Sequence, residues 1–258
     1  MERKEEKLKA FEKLCEIMDR LRAECPWDKK QTMESLRHLT IEEVYELGDA
    51  ILNNDVTNIK KELGDLMLHI IFYSKIASEQ AAFDIADVMN EESEKLIHRH
   101  PHIYGDVQVT GADEVSQNWE QLKLREGKDK SVLGGVPVSL PALVKAMRIQ
   151  EKARSAGFDW EKPEQVWEKV VEELNEFKNE CEKGDTERMN AEFGDLLFSL
   201  INYARFLNIN PEEALERTNL KFIKRFSYLE SQSKADGKVL KKMTLEEMDK
   251  YWNKAKEL

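Results

Sequence analysis

Apolar residues recur at intervals of three and four positions along most of this chain, and that interval is the period of an α-helix. Alternation of apolar and polar positions, the pattern of a half-buried strand, is nearly absent. Only 11 Gly and 6 Pro occur in 258 residues, so few positions interrupt the helical pattern. The pattern predicts an all-α fold.

Capping residues mark the starts of two predicted helices. Asn210 precedes Pro211, and an Asn cap followed by proline in the first turn is a common helix start. Thr244 and Glu247 have the spacing of a capping box, in which each side chain accepts a hydrogen bond from the other residue's backbone N–H. We therefore expect helices to begin at Pro211 and Leu245.

The segment 128–141 (KDKSVLGGVPVSLP) is the one long stretch without helical periodicity. It concentrates Gly134, Gly135, Pro137 and Pro141, a composition typical of a linker. It also divides the chain almost in half. We therefore predict an N-terminal domain of residues 1–127, a linker of residues 128–141 and a C-terminal domain of residues 142–258.

The two halves of the chain repeat one acidic pattern without a gap. Each half reads EExxE, then fifteen residues, then ExxD. Because Asp and Glu total only 51 of 258 residues, this coincidence indicates an internal duplication. A shift of 130 residues places Glu42, Glu43, Glu46, Glu62, Gly64, Asp65 and Leu66 on Glu172, Glu173, Glu176, Glu192, Gly194, Asp195 and Leu196.

A turn signal separates the two acidic motifs in each repeat. The signals are residues 53–55 (Asn-Asn-Asp) and 183–185 (Lys-Gly-Asp), and in both the Asp can cap the next helix. Each repeat is therefore predicted to form an antiparallel helical hairpin, in which residues equidistant from the turn face each other. The facing pairs are Glu46 with Glu62, Glu43 with Asp65, Glu176 with Glu192, and Glu173 with Asp195.

Four carboxylates are thus expected to converge within each hairpin. The two acids on each helix are three residues apart and share one face. Such a cluster repels itself and needs protons or cations, and an all-oxygen ligand set suits Mg²⁺ or Mn²⁺. There is room for two ions, since two-metal phosphate sites hold them about 3.5–4 Å apart.

Simpler interpretations of the acids compete with a metal site. EEVYE alone is typical of a solvated helix face, and Glu43 could complete a capping box with Thr40. The second repeat has Val170 in place of Thr40 and still carries Glu173, which favours a shared function. A di-iron bundle would need His three residues after Glu, and no His has that spacing. The cluster His98, His100 and His102 around Pro101 is expected to be a loop after a helix.

Basic residues follow the second acidic motif at helical spacing. A phosphate enzyme with metals bound to carboxylates also needs Lys or Arg to hold its anionic substrate. Lys221 and Arg225 are four residues apart, as are Trp252 and Lys256. The first half has counterparts with the same internal spacing: Lys95, Arg99, Trp119 and Lys123.

Composition excludes several functional classes. The net charge of -11 argues against a protein that coats nucleic acid, and we expect no nucleic-acid partner. Apolar stretches such as residues 66–72 are too short for a membrane span, and the start MERKEEKLKA lacks the apolar core of a signal peptide. We therefore expect a cytoplasmic protein without a membrane partner. The 3 Cys show no CxxC spacing, so neither a disulfide framework nor a zinc site is indicated.

Several short motifs, together with the paired acidic motifs, resemble the MazG family of nucleotide pyrophosphohydrolases across almost the whole chain. They are CPWD (Cys25–Asp28), RHPHIYGD (Arg99–Asp106), NWEQLK (Asn118–Lys123) and GFDW (Gly157–Trp160). The acidic motifs alone would indicate only the all-α NTP pyrophosphatase superfamily. The accessory motifs and the tandem arrangement are similar to the long, two-repeat bacterial housekeeping form.

This resemblance implies a homodimer that hydrolyses NTPs and dNTPs to the monophosphate and diphosphate with Mg²⁺, or Mn²⁺ as a substitute. It places catalysis in the second repeat. The implied metal ligands are Glu173, Glu176, Glu192 and Asp195, which with Glu172 form the catalytic set. The implied nucleotide contacts are Lys169, Glu172, Arg188, Lys221, Arg225, Trp252 and Lys256.

The first repeat keeps a second candidate metal set, Glu43, Glu46, Glu62 and Asp65. It has Leu39 and Asn58 at the positions of Lys169 and Arg188, which weakens its expected triphosphate binding. Two alternatives stay open: a pyrophosphatase restricted to one nucleotide, such as dUTP or a modified base, and a non-catalytic nucleotide-binding regulator. Attack on the α or the β phosphorus also stays open.

Overall fold

The computed structural model describes residues 3–111, 114–115, 118–119, 122 and 131–257. All regular structure in this described part is helical, which confirms the all-α prediction. None of its helices is long and apolar enough to cross a membrane. The helices are α1 (Lys4–Glu24), α2 (Met33–Leu52), α3 (Val56–Ser78), α4 (Ile85–Arg99), α5 (Pro101–Tyr104), α6 (Ala142–Ser155), α7 (Pro163–Lys183), α8 (Thr186–Phe206), α9 (Pro211–Ala235) and α10 (Leu245–Ala255), with 3-10 turns at Asp28–Lys30 and Leu240–Lys242.

The chain forms two compact units, Met1–Thr110 and Gly111–Leu258. This division falls before the predicted boundary at residue 127. Within the predicted linker, residues 131–141 form turns and bends ahead of α6. The domain limits 1–127 and 142–258 stay predictions.

Each unit is built on an antiparallel hairpin, α2–α3 in the first and α7–α8 in the second. The turns reverse through left-handed residues, Asn54 with φ 54° and Gly184 with φ 73°. Both residue types adopt this conformation at low steric cost. Asp55 accepts hydrogen bonds from the N–H groups of Thr57 and Asn58, and Asp185 accepts one from that of Arg188. The predicted hairpins are therefore present.

The predicted helix starts in the second unit are confirmed. The Asn210 side chain accepts from the N–H groups of Glu212 and Glu213, with Pro211 in the first turn. Thr244 and Glu247 form the predicted capping box. A loop was expected after Arg99, but residues 101–104 form the short helix α5. Proline suits a helix's first position, because the N–H that it lacks has no helical partner there.

Thr40 does not cap a helix. It lies inside α2, which begins at Met33 with Thr32 as its cap. The Thr40 hydroxyl is 2.9 Å from His69 Nδ1 and 2.7 Å from the Tyr73 hydroxyl, so it joins α2 to α3. Glu43 is therefore not part of a capping box with Thr40.

Equivalent positions fill the cores of the two units. In the first unit, Leu36 and Ile71 are buried, and α1 covers them through Met18. In the second unit, the equivalent Val166 and Ile201 are also buried. The same face of each hairpin thus packs inward, which fixes the direction in which the carboxylates between the helices point.

Buried arginines fix the loops that carry the CPWD and GFDW motifs. In the first unit, Arg22 forms an ion pair with Glu79 at 2.6 Å and donates to the backbone carbonyls of Asp28 and Gln31. In the second unit, Arg205 on α8 donates to both carboxylate oxygens of Asp159, at 3.0 and 2.5 Å. Each of these arginine contacts therefore fixes the loop that carries the motif to its hairpin.

Replacing Asp159 with Ala should destabilise the second unit. The Arg205 side chain is only 8% exposed, so the variant would leave a buried guanidinium without its carboxylate. Arg205 would keep its hydrogen bonds to Asn202 Oδ1, so the loss should be about 1–3 kcal/mol, the cost of an unpaired charged donor. Urea unfolding followed by circular dichroism should show this loss, while the control Asp249→Ala, on the exposed side of α10, should change stability by less than about 0.5 kcal/mol. Equal midpoints for the two variants would contradict the assignment.

Candidate metal and nucleotide site

The second hairpin brings acidic side chains together between α7 and α8. We call Glu173, Glu176, Glu192 and Asp195 the C-terminal acid cluster. One carboxylate oxygen from each of Glu173, Glu176 and Glu192 lies within 4.8 Å of the others. Asp195 stands outside this tight group, yet its charge acts on Glu192. Three of the four predicted ligands therefore converge.

The first hairpin has an equivalent N-terminal acid cluster, defined as Glu43, Glu46, Glu62 and Asp65. Here Glu43, Glu62 and Asp65 place oxygens within 4.8 Å of one another, and Glu46 stands apart. Glu62 is 4% exposed, and its Oε2 is buried with no hydrogen-bond partner in the described structure. The hairpins therefore differ in which three acids meet.

Mutual repulsion perturbs both acid clusters. Burial raises the pKa of Glu43, and the charges of Asp65, Glu46 and Glu62 raise it further. Partial desolvation likewise raises the pKa of Glu192, with added repulsion from the rest of its cluster. Loss of solvation and nearby like charges both disfavour an ionised carboxylate. A bound cation would relieve both effects.

One lysine compensates each cluster, and the two lysines come from opposite helices. Lys169 on α7 places its Nζ 2.7 Å from Glu173 and 3.0 Å from Glu172, which raises the lysine pKa above its usual range. Lys61 on α3 places its Nζ 3.1 Å from Glu62 and 3.8 Å from Asp65, and its pKa is also raised. The repeat equivalents are Leu39 for Lys169 and Ala191 for Lys61.

Sequence reasoning found Lys169 but missed Lys61. The signal was available, because Lys61 lies four residues before Asp65 and therefore on the same helix face. It was missed because the lysine was sought only at the position of Lys169. The first hairpin therefore also has a lysine ammonium beside its acids.

Most of the other predicted nucleotide contacts have partners outside the C-terminal acid cluster in the described part of the chain. The Arg225 guanidinium is 6.0 Å from the centroid of the Trp252 ring, and Phe222 lies 5.0 Å from the same ring. Lys256 donates to Asn253, and Arg188 forms a 3.6 Å ion pair with Asp185. Among the described residues, no direct contact joins Lys221, Arg225, Trp252, Lys256 or Arg188 to the C-terminal acid cluster.

The counterparts in the first unit are only partly described. Lys95 forms an ion pair with Glu92. Lys123 lies outside the described residues, so its predicted place beside Trp119 stays a prediction. In the described part of the chain, His98, His100 and His102 belong to no group of three or more potential metal ligands.

Both acid clusters fit a hard divalent cation. Their donors are carboxylate oxygens, the ligands that Mg²⁺ and Mn²⁺ prefer. The unpartnered Oε2 of Glu62 is a buried acceptor beside such a cluster, and a buried acceptor is stabilised when it gains a partner. In the second hairpin, Glu173, Glu176 and Glu192 would hold the ion, with Asp195 close to them.

Tandem helical hairpins lined with carboxylates define an all-α protein with paired acidic clusters that could hold a metal ion. Residues 31–104 and 161–229 each match the family described as the MazG nucleotide pyrophosphohydrolase domain. The chain belongs to this family, and the two matches confirm the tandem repeat. The predicted enzyme class, a pyrophosphohydrolase, is also confirmed.

The relatives support this assignment along the whole chain. A Thermotoga maritima protein named nucleoside triphosphate pyrophosphohydrolase/pyrophosphatase MazG is 46% identical over 250 residues, which are 95% of each chain. An Escherichia coli K12 nucleoside triphosphate pyrophosphohydrolase is 39% identical, covering 95% of this chain and 97% of that protein. The Bacillus subtilis protein YabN is 47% identical across 90% of this chain, which matches 48% of YabN.

Replacing Glu192 with Gln should stabilise the metal-free protein at pH 7. The pKa of Glu192 is raised by folding, so its ionised form opposes folding above the folded pKa, and this effect disappears below the ordinary pKa of about 4.3. The melting temperature of the variant in EDTA should therefore exceed that of the unmodified chain at pH 7, and the difference should vanish near pH 4.

Glu168→Gln, on the exposed side of the facing helix α7, is the matched control and should change the melting temperature little. With Mg²⁺ the order should reverse, because the intact cluster binds the stabilising ion more tightly. A Glu192→Gln protein that melts earlier than the unmodified chain in EDTA at pH 7 would show that this carboxylate makes stabilising contacts.

Proposed function

We propose that this protein hydrolyses NTPs and dNTPs to monophosphate and diphosphate with Mg²⁺, or Mn²⁺ in its place, as part of nucleotide-pool housekeeping. The active site is the second hairpin. The single observation that carries this proposal is the lysine ammonium of Lys169, 2.7 Å from the buried Glu173 at the edge of the C-terminal acid cluster. Carboxylates for a cation and a lysine for an anion stand side by side. The names of the relatives support the triphosphate substrate.

The acids and the cation divide the chemistry between them. Glu173, Glu176, Glu192 and Asp195 hold the divalent cation. When bound, this ion neutralises phosphate charge and makes water more acidic. Glu173 is buried and fixed by packing, so it gives the ligand set a rigid anchor.

Lys169 and Glu172 position the substrate. In the free protein the Lys169 ammonium is shared between Glu172 and Glu173. Lys169 would be free to donate to a phosphate oxygen once the carboxylate of Glu173 served as a metal ligand. Its raised pKa keeps it charged at any physiological pH. Glu172 then retains the lysine near the reacting phosphate.

The reaction needs only water as a co-substrate. A water oxygen bonds to the α or the β phosphorus, the bridging P–O bond of the α,β-anhydride breaks, and the water's protons pass to the products and solvent. Charge builds up on the departing oxygen, and donors placed there stabilise it. The proposed contacts to the phosphates are Arg188, Lys221, Arg225 and Lys256, and the proposed contact to the base is Trp252.

The first hairpin is proposed to bind a cation without a major share in turnover. It has an acid cluster, but Leu39 and Asn58 stand where Lys169 and Arg188 would hold phosphate. Lys61 is the lysine that remains beside the acids. The loss of even one charge-assisted hydrogen bond, about 1.5–3 kcal/mol, weakens triphosphate binding about 10- to 100-fold.

Homodimerisation is proposed from exposed apolar rows on the hairpins. Five pairs of equivalent positions are apolar and at least 40% exposed in both hairpins. Contiguous exposed apolar surface is typical of association sites. A cytoplasmic location is a separate prediction from the sequence and does not depend on these rows. The residues are Ile41, Val44, Leu63, Met67 and Ile70 in the first hairpin, and Val171, Leu174, Phe193, Leu197 and Leu200 in the second.

Product analysis tests the reaction. ATP or dGTP with Mg²⁺ or Mn²⁺ should give the monophosphate and intact diphosphate, and EDTA should abolish turnover, because the carboxylates cannot hold a triphosphate without a cation. Ion-exchange chromatography of the products over a panel of NTPs and dNTPs measures both the cleaved bond and the substrate range.

Inorganic diphosphate among the final products does not show which bond is cut first. Early time points are therefore required to show whether a nucleoside diphosphate appears before it. A nucleoside diphosphate with orthophosphate as the primary products would mean that the β,γ bond is cut and would refute the proposal. Turnover of one substrate only would favour the restricted pyrophosphatase. Nucleotide binding without turnover would favour the regulator.

Mutations should affect the two repeats unequally. Glu173→Gln or Asp195→Asn should lower kcat/KM by more than about 100-fold, since even partners beyond the ligand shell commonly contribute about 10- to 100-fold. The equivalent Glu43→Gln or Asp65→Asn should keep most of the activity and change chiefly stability or assembly. Steady-state kinetics on the four variants measures the difference.

Light scattering on the same variants is the control for assembly. A homodimer should have twice the chain mass of 30.1 kDa, and the comparison is valid where all variants keep that mass. Equal losses of kcat/KM from both repeats would show that the hairpins cooperate. A larger loss from the first repeat would place the active site there.

A further inference from the structure

Glu180 is a buried carboxylate that the predicted site did not include. It lies four residues after Glu176 on α7, one turn nearer the hairpin turn and on the same helix face. It is 8% exposed, which is unusual for glutamate outside a paired or functional setting. Its charge acts on Glu192 across the hairpin. Glu180 therefore adjoins the C-terminal acid cluster.

The two oxygens of Glu180 have different surroundings. Oε1 accepts a hydrogen bond from Lys183 Nζ at 2.6 Å. Oε2 is buried and has no hydrogen-bond partner among the residues that the structure describes. A buried acceptor without a partner is costly, and a carboxylate in the last turn of a helix also opposes the helix dipole. Packing and helix stability therefore do not explain this residue.

The ion pair with Lys183 does not explain why Glu180 is buried. The Lys183 side chain is 60% exposed, and ion pairs of exposed side chains contribute little. A surface glutamate would serve that lysine equally well without burial. The buried oxygen requires another partner.

The first repeat has Ala50 at the position of Glu180. An open cleft of about 340 Å³ lies there, lined by Ala50 and by polar groups that include Glu46 and Glu62 of the N-terminal acid cluster. The same place beside the acids is thus open in the first hairpin and carries a carboxylate in the second. This difference between Ala50 and Glu180 agrees with the proposal that the second repeat is the active one and the first is less active.

We propose that Glu180 is a positioning residue for the cation of the second hairpin. This inference rests on the proposed function. Its unpartnered Oε2 would accept a hydrogen bond from the hydration shell of an ion held by the C-terminal acid cluster. Mg²⁺ typically keeps several waters in protein sites, and partners beyond the direct ligands orient them and tune affinity. Glu180 contacts neither the substrate nor the reacting phosphorus.

Mn²⁺ binding measured by electron paramagnetic resonance tests this role without turnover. The measurement uses the full chain carrying Glu43→Gln and Asp65→Asn, so that only the second hairpin keeps its complete cluster. In this background, Glu180→Gln and Glu180→Ala should weaken Mn²⁺ binding about 10- to 100-fold. The metal-free melting temperature should stay equal or rise, because the buried carboxylate oxygen Oε2, which has no hydrogen-bond partner, has been removed.

Glu182→Gln is the matched control, since Glu182 is exposed on the same helix and outside the acid cluster. It should leave Mn²⁺ affinity unchanged. If Glu180→Gln binds Mn²⁺ as the control does, or only lowers the metal-free melting temperature, the inference is wrong and Glu180 is structural. If the parent background binds no Mn²⁺ although it is folded, the proposed function fails instead.

A gain of affinity in the first hairpin provides an independent test. The chain carrying Glu173→Gln and Asp195→Asn reports on the N-terminal acid cluster, and the cleft beside Ala50 has room for a longer side chain. Ala50→Glu should bind Mn²⁺ several-fold more tightly than Ala50→Gln, which has a similar volume without the charge. Equal affinities for these two variants would overturn the inference.

Discussion

Electrostatic repulsion among carboxylates held between two helices is the constraint on which this protein depends. Antiparallel helices place acids on facing positions, and the buried face of each hairpin prevents them from turning away. The raised pKa values of Glu43 and Glu192 report the resulting strain. Each hairpin therefore carries repelling carboxylates that one lysine partly compensates and that a bound cation would compensate further. The rest of each unit keeps the two helices in register.

The supporting structure shows how that register is kept. The left-handed turns at Asn54 and Gly184 set the point of reversal, and aspartate caps fix the start of the return helix. Buried arginines hold the loops with the CPWD and GFDW motifs against the hairpins. These motifs, which identified the family, therefore act through structure in the described contacts and lie outside the acid clusters.

The two hairpins of the duplicated chain have the same backbone arrangement, but their charged residues beside the acids differ. Lys61 compensates the acids from α3 in the first, and Lys169 does so from α7 in the second. Ala50 borders an open cleft where Glu180 is buried. A lysine on a different helix presents its ammonium to a substrate from a different side, so equivalent acid clusters need not be equivalent enzymes.

The sequence by itself determined the all-α class, the tandem repeat, the hairpin turns and two of the four facing acidic pairs, Glu43 with Asp65 and Glu176 with Glu192. All of these follow from local periodicity and from turn or capping chemistry, which act over a few residues. Only the tertiary structure decided that Glu176 joins the tight group in one repeat and Asp65 in the other, that Thr40 bonds His69, and that Glu180 is buried. These features depend on side-chain rotamers and on burial by neighbouring helices, and neither is encoded in the spacing of residues along one helix.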